Sequence, residues 1–543
     1  MSDTRRRSSL IACVAVLAIA AFLVLSSCAT KGPRRIVVAV QELPLRLDPV
    51  RVSRPIEENA CELLFDGMVN VVANDSGSAT PALGLAESIV QDQFDRSLYR
   101  ITLRKAAWHD GRQLCSGDVV SSFAAYVDPA NASTRREYLL GLVSSVEADG
   151  ERGVLVRFRE PIAEFRAWYV LTFKIVPREY RGTIMPADRS GKEGEAFAVS
   201  PVGTGPFRFA SRRNSEIVLD SYPSAVRGAP ASRGIVLRRI VGSKERIAAL
   251  LSGKVDLIAD TGPLDRPLLE RAGDVMVQSY MPQAFYSLAI NVRRSELSSP
   301  EAREALVRAV DRAALVPGLT DRSSGVEFCC GPFPDGLLTR VLPEYFRQGF
   351  PNRLPRAQAL AAHLAETSGL AAYGRRSSDS FSEAGLAIAY PKSWGEFGAR
   401  LSLGLTAELG EAHIVAHPSP LPDADYAAAI GSRSFELALV YHEGYDNLYS
   451  GISSLYRSSS PENETGISDA QLDKLLASRD GAVEVTDWIR DTLAVHDRVS
   501  VLAPYVPLFC VEKDIFYRGL SGVLIASDNP FLTSEKWVQA AAE

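Results

Sequence analysis

Only one segment of this chain is apolar enough to leave water, and it is too short to cross a bilayer. From Leu10 to Gly32 the sequence reads LIACVAVLAIAAFLVLSSCATKG, with an unbroken apolar part of roughly 16 residues against the ~20 that a spanning helix needs. Three arginines, Arg5 to Arg7, precede it, and Leu25-Ser26-Ser27-Cys28 closes it. This is the layout of a secretory signal whose small residues admit a peptidase and whose thiol receives a lipid. The expectation is that residues 1–27 are removed and that Cys28 carries the anchor. Two or more acyl chains hold a protein stably at a membrane, so the rest of the chain is expected outside the cytoplasm, tethered but otherwise soluble.

No second apolar run approaches spanning length. Of 543 residues, roughly 500 remain to fold, more than one hydrophobic core organises, and two or three domains are expected. An apolar share of 46% with 23% charged residues is ordinary globular composition and excludes both a permease and a disordered tail. The formal charge of −5 offers no basic surface for nucleic acid, and none is expected as a partner. Of the seven cysteines, Cys61, Cys115, Cys329, Cys330 and Cys510 lie in the folded part. An oxidising compartment permits bridges such as Cys61 to Cys115, but spacing leaves the pairing open, and none of the spacings is that of a zinc site.

Periodicity places the elements. RIVVAVQEL, Arg35 to Leu43, reads as a buried strand closed by Pro44. LYRITLR alternates Tyr99, Ile101 and Leu103 inward with Arg100, Thr102 and Arg104 outward, and GVLVRFRE repeats this with Val154, Val156 and Phe158. Between them Ser116 can cap a helix presenting Val119, Val120, Phe123, Ala124 and Val127. Ser299-Pro300-Glu301 opens another, with Ala302, Ala305, Leu306, Ala309, Val310 and Ala313 as its stripe. A further helix is expected over Leu354 to Glu366. Strands are expected at Leu386 to Tyr390, His413 to Ala416 and Phe435 to Tyr441, and a surface loop from Tyr373 to Glu383. The second half thus reads as α/β.

Several segments, in order, resemble the extracellular solute-binding proteins of peptide ABC transporters, solute-binding protein family 5, which includes dipeptide- and oligopeptide-binding lipoproteins. They are ENACELLFDGMVNV (Glu58 to Val71), LYRITLRKAAWHDGRQLCSGDVVSSFAAYVDP (Leu98 to Pro129), SPVGTGPFRF (Ser200 to Phe209), RIAALLSGKVDLI (Arg246 to Ile258), YSLAINVRRSELSSPEAREALVRAVDRAALV (Tyr286 to Val316) and YVPLFCVEKDIFYRGLSGV near the C terminus. The resemblance implies an α/β, two-lobed fold like the periplasmic binding proteins of type II, cluster C. Its mixed sheets are flanked by helices, with an extra domain and a hinge between the lobes. It divides the chain into a signal (1–27), a discontinuous domain I (28–56, 198–285 and 512–543), an extra domain II (57–197) and domain III (286–511). One departure is plain: after Leu219 the family carries an aromatic N-P-x-Y-W/F stretch, and this chain has DSYPSAVRG.

In such a fold a peptide lies between the lobes, its backbone hydrogen-bonded to strand edges and its side chains in roomy pockets. The resemblance offers Gln41, Glu42 and Leu43 as that edge and Tyr286, at the first crossing between lobes, as a cover. Near Phe285 to Val292 and Pro504 to Val511 the chain would cross. The peptide ammonium loses water on closure and wants a carboxylate. In LALVYHEGYDNLYSGISSLY the residue aligning with the family's acid is Glu443, with Asp446 its competitor and Tyr441 and Tyr445 as walls. No catalytic residue, metal or cofactor is expected. Gly203-Thr204-Gly205 lacks the lysine and third glycine of a phosphate loop, His109-Asp110-Gly111 is a turn signature, and His413 and His417 sit on a strand rather than a helix face. The implied protein is an anchored, monomeric peptide carrier partnered by an ABC permease. The alternatives are the same fold taking a nickel complex, haem, a sugar or an opine, and a surface lipoprotein acting as adhesin or sensor.

Overall fold

The computed structural model describes residues 34–73, 79–178, 197, 199–259, 266–269, 271–282, 284–319, 325–329, 357–373, 385–442, 451–525 and 529–539. Cys28, Cys330, Glu443, Tyr445, Asp446 and the loop 374–383 lie outside them.

Among the described residues three larger sheets organise the chain. The first has seven strands in the order β12-β19-β11-β1-β10-β9-β8: β1 (Ile36–Val40), β8 (Phe207–Arg213), β9 (Glu216–Ser221), β10 (Gly234–Arg239), β11 (Leu257–Ile258), β12 (Val275–Tyr280) and β19 (Lys513–Arg518). Strand β1 is central and parallel to both neighbours, β10 and β11. A strand flanked on both sides and covered on both faces should be continuously apolar, and IVVAV is. Its alternate residues serve two cores, Ile36, Val38 and Val40 on one face and Ala39 with Ile258 and Phe516 on the other.

The second sheet is antiparallel, β4-β5-β7-β6, formed by β4 (Ala86–Gln91), β5 (Leu98–Leu103), β6 (Val143–Asp149) and β7 (Gly153–Phe158). A hairpin of β2 (Val69–Ala73) and β3 (Ala79–Leu83) lies beside it in sequence. The alternation read from LYRITL and GVLVRF is the observed one, with Tyr99, Ile101, Leu103, Val154, Val156 and Phe158 buried. The helix that follows β5 differs from its expected start. It runs Ser116–Val127, Cys115 is the N-cap residue, and the Asp118 carboxylate accepts from the Cys115 N–H at 2.9 Å. Val119, Val120, Phe123 and Val127 of the expected face pack on the core, joined by Asp118, Ser122, Ala125 and Tyr126, while Ala124 is exposed.

The third sheet has six strands, β14-β18-β13-β17-β15-β16: β13 (Phe285–Ile290), β14 (Val326–Phe328), β15 (Leu386–Pro391), β16 (Ala416–Leu421), β17 (Leu437–His442) and β18 (Tyr505–Val511). Helices cover both faces, each over its own apolar cluster. The helix Pro300–Ala309 begins as read, Ser299 Oγ accepting from the Ala302 N–H at 3.1 Å. It stops at Ala309, so Ala313 is exposed rather than part of the stripe. The helix expected over Leu354 to Glu366 is described as Gln358–Thr367. His413 does not begin a strand: it takes a left-handed turn with φ 61°, and β16 starts at Ala416 and runs through Pro418 and Pro420. Both prolines lack an N–H, two residues apart on an edge strand, where the missing donors face away from the ladder. Cys61, Cys115, Cys329 and Cys510 are thiols, so the bridge from Cys61 to Cys115 is not formed.

Candidate functional site

Strand direction locates the site. The chain passes between the first and third sheets twice, from β12 to β13 and from β18 to β19. Strand β19 starts at a crossing and is antiparallel to β11, so β11 and its parallel neighbours β1 and β10 end there. In the other lobe β13 starts at a crossing and is antiparallel to β17, so β17 and its parallel neighbour β15 also end there, as does β16 beside it. Carboxyl ends of parallel strands from both lobes therefore converge on the two crossings. That is where open α/β sheets leave a crevice for ligands.

Gln41, Glu42 and Leu43 leave β1 at this end. They lie past the last paired residue, Val40, and do not form a strand edge, because β1 is hydrogen-bonded on both sides. Gln41 and Glu42 are exposed, and Glu42 pairs with Arg54 at 2.8 Å. Tyr286 and Tyr441 are brought together as direct cross-strand partners, ring centroids 4.6 Å apart. Three residues that the sequence reading missed join them. Trp394 and Phe397, at the start of the helix Gly395–Glu411 that follows β15, lie 5.5 and 4.9 Å from Tyr286. Lys513, the first residue after the second crossing, sits over the Tyr441 ring at 5.5 Å. The only signal for the first two was their place directly after a strand in YPKSWGEF.

The lobes also touch away from the crossings, through the helix Glu164–Val170. Ala167 and Val170 face the core of their own lobe, whereas Phe165 and Tyr169 pack against the third-sheet cluster. Phe165 meets Trp488 edge-on at 6.1 Å, buried Arg166 donates to the Asp480 carbonyl, and Arg96 pairs with Glu484 at 2.9 Å. The last pair is exposed and contributes little; the buried ring and guanidinium hold the contact. Replacing both Phe165 and Arg166 with alanine is expected to open the lobes, seen as a larger radius of gyration in small-angle scattering. Scattering identical to the parent would refute this.

The segments that most resemble a phosphate loop and an acid–base pair form one structural lock. A Cβ on Gly203 would stand 1.8 Å from the Leu64 carbonyl oxygen, so the turn packs backbone on backbone. His109 Nδ1 accepts from the Gly203 N–H at 3.1 Å, and its Nε2 faces the Gly205 carbonyl at 3.0 Å. Burial lowers its pKa to about 4, which keeps the ring neutral. Within DSYPSAVRG, Tyr222 stacks edge-on against His109 at 4.9 Å and donates to the Trp108 carbonyl at 3.1 Å. Arg227 lies buried between Glu62 at 2.7 Å and Asp66 at 2.9 Å. Two residues of DSYPSAVRG, Tyr222 and Arg227, thus pack within the lobe.

Two α/β lobes joined by two crossings, with strand ends converging between them, make up the two-lobed fold of the periplasmic binding proteins. Comparison is in line with this: residues 80–326 match the profile of bacterial extracellular solute-binding proteins, family 5 Middle. The glutathione-binding protein GsiB of Escherichia coli strain K12 is 25% identical over 319 residues, 58% of this chain and 58% of GsiB. The ABC transporter substrate-binding protein CtaP of Listeria monocytogenes shares the fold at 18% identity and TM-score 0.80, covering 94% of this chain and all of CtaP. The oligopeptide-binding protein AppA of Bacillus subtilis, in complex with a nonapeptide, superposes at 16% identity, TM-score 0.73 and 94% and 100% coverage. NikZ of Campylobacter jejuni, in complex with Ni(L-His), does so at 16%, 0.75, and 93% and 99%. No helix among the described residues is long and apolar enough to cross a membrane.

Proposed function

We propose that this chain is a lipid-anchored carrier that captures peptides between its lobes and delivers them to an ABC permease. The observation that carries the reading is the convergence of strand ends from both lobes on two crossings, where closing the hinge encloses a solute. The likeness to GsiB and to AppA, the one named for glutathione and the other holding a nonapeptide, supports a peptide. Domain I (28–56, 198–285, 512–543) and domain II (57–197) form one lobe in this reading and domain III (286–511) the other. Gln41 to Leu43 and Tyr286 line the cleft. Tyr441 and Tyr445 flank the acid that receives the ammonium, Glu443 with Asp446 as competitor. Cys28 bears the lipid. The chain works as a monomer, outside the cytoplasm, and performs no chemistry of its own; the permease supplies the energy. NikZ keeps a second reading in play, the same cleft holding a metal complex.

The test uses the chain from Ala29 onward, partially unfolded and refolded to strip bound solute. Thermal denaturation is followed with di- to octapeptides and with nickel–histidine. A peptide at ~100 times its dissociation constant should add about 2.7 kcal/mol to the native state, a plain rise in midpoint, lost in Glu443→Gln or Asp446→Asn. A rise with nickel–histidine alone would establish the second reading, and no rise with any peptide would end the first.

A further inference from the structure

Four aromatic rings at the crossing end of the third sheet are only half buried: Tyr286, Trp394, Phe397 and Tyr441. They come from β13, the start of the helix after β15, and β17, and all lie around Tyr286. Trp394 meets it edge-on at 88°, Phe397 and Tyr441 meet it tilted, and Trp394 and Phe397 are 6.2 Å apart. Phe509 of β18, 5.8 Å from Tyr286, closes the floor and is buried. A ring cluster that only completed the core would be covered like Phe509. These four instead keep apolar surface at the end where both lobes' strands terminate. Lys513 of the opposite lobe reaches across to Tyr441, so the patch is continuous with the inter-lobe surface.

We propose that Tyr286, Trp394, Phe397 and Tyr441 form a side-chain pocket of the cleft that selects a peptide carrying an aromatic or large apolar residue. Ring faces and edges set at mixed angles suit another ring, which prefers edge-to-face or offset contact and buries a large area on entry. Trp394 and Phe397 set the preference, since they stand on a helix start rather than in the ladder and can change without disturbing strand pairing. The proposal rests on the peptide reading above.

The experiment is calorimetric titration of the stripped chain with trialanine and with the three tripeptides in which phenylalanine replaces one alanine. At one position phenylalanine is expected to bind about 10- to 200-fold tighter than alanine. In Trp394→Ala that ratio should fall to within about threefold. Trp394→Leu, which keeps bulk and helix propensity, serves if the alanine variant does not fold, and should lower the ratio part of the way. Trialanine and phenylalanine peptides binding alike, or a ratio unmoved in the folded variant, overturns the pocket and leaves the peptide reading intact. No binding of any of the four overturns both.

Discussion

Arg227→Leu is expected to cost about 3–5 kcal/mol, the usual penalty for removing one partner of a buried ion pair. The guanidinium is buried with Glu62 and Asp66 on either side, and Glu62 also pairs with Lys174 at 2.6 Å. Burial opposes its charge, but Asp66, Glu62 and Glu535 outweigh burial and hold its pKa above the usual value. Asp66 is further held by the Asn70 side-chain amide at 2.9 Å, so the network ties the helix Pro55–Leu64 to the segment after β9. Leucine conserves most of the volume and removes the cation, which leaves two carboxylates without their main counter-charge. Urea denaturation should show the loss, and Glu62→Gln on the Arg227→Leu background should recover part of it. A change below about 1 kcal/mol would place the pair with exposed salt bridges in effect.

Stability should rise with pH between about 4.5 and 6.5, because His442 and His109 are held neutral by desolvation. Burial pushes His442 down to about 3 and His109 to about 4. His442 Nε2 lies 2.7 Å from Ser287 Oγ. Over this range the unfolded chain, with histidines near 6.5, binds up to two more protons than the folded one. Each such proton gives about 1.4 kcal/mol of added stability per pH unit. Glu464 works the other way. Burial raises it to about 7, so from about 4.5 upward the folded state holds a proton that the unfolded state has lost, and stability falls by the same slope. Burial also raises Glu535, which works in the same direction as Glu464, so the net expectation is a rise of less than about 1.4 kcal/mol per pH unit, which Glu464→Gln should steepen. Urea midpoints at pH 4.5 and 6.5 decide it; a flat profile in both forms would show that neither histidine is held neutral.

The parts of the fold that were legible are those whose signal is local. The alternation in LYRITL and GVLVRF is a property of consecutive residues and survived intact, as did the Ser299 cap. The start of the helix at Ser116 was misplaced by one residue because Cys115 is an uncommon cap, and its acceptance depends on Asp118 reaching back. The strand expected over His413 to Ala416 instead begins at Ala416 and runs on through Pro418 and Pro420, which an edge strand tolerates, and nothing local says that this strand lies on the edge.

Ordered motifs spread along the chain carry the class of fold, and local periodicity carries several of the strands, helices and tight turns. Gly203 and Gly205 were legible as a turn, for instance, though not as the surface that packs on Leu64. Only the tertiary structure decided which residues meet between the lobes. Tyr286, Trp394, Phe397, Tyr441 and Lys513 are neighbours because β13 pairs with β17 and β15 lies beside β17, and because the chain re-enters the first lobe at Lys513. Likewise Arg166 reads as an ordinary helical arginine until the helix Glu164–Val170 is seen to present one face to each lobe. Side-chain periodicity is set by a residue's immediate neighbours, whereas sheet order is set by how distant segments share one buried surface, and that sharing exists only once the chain has folded.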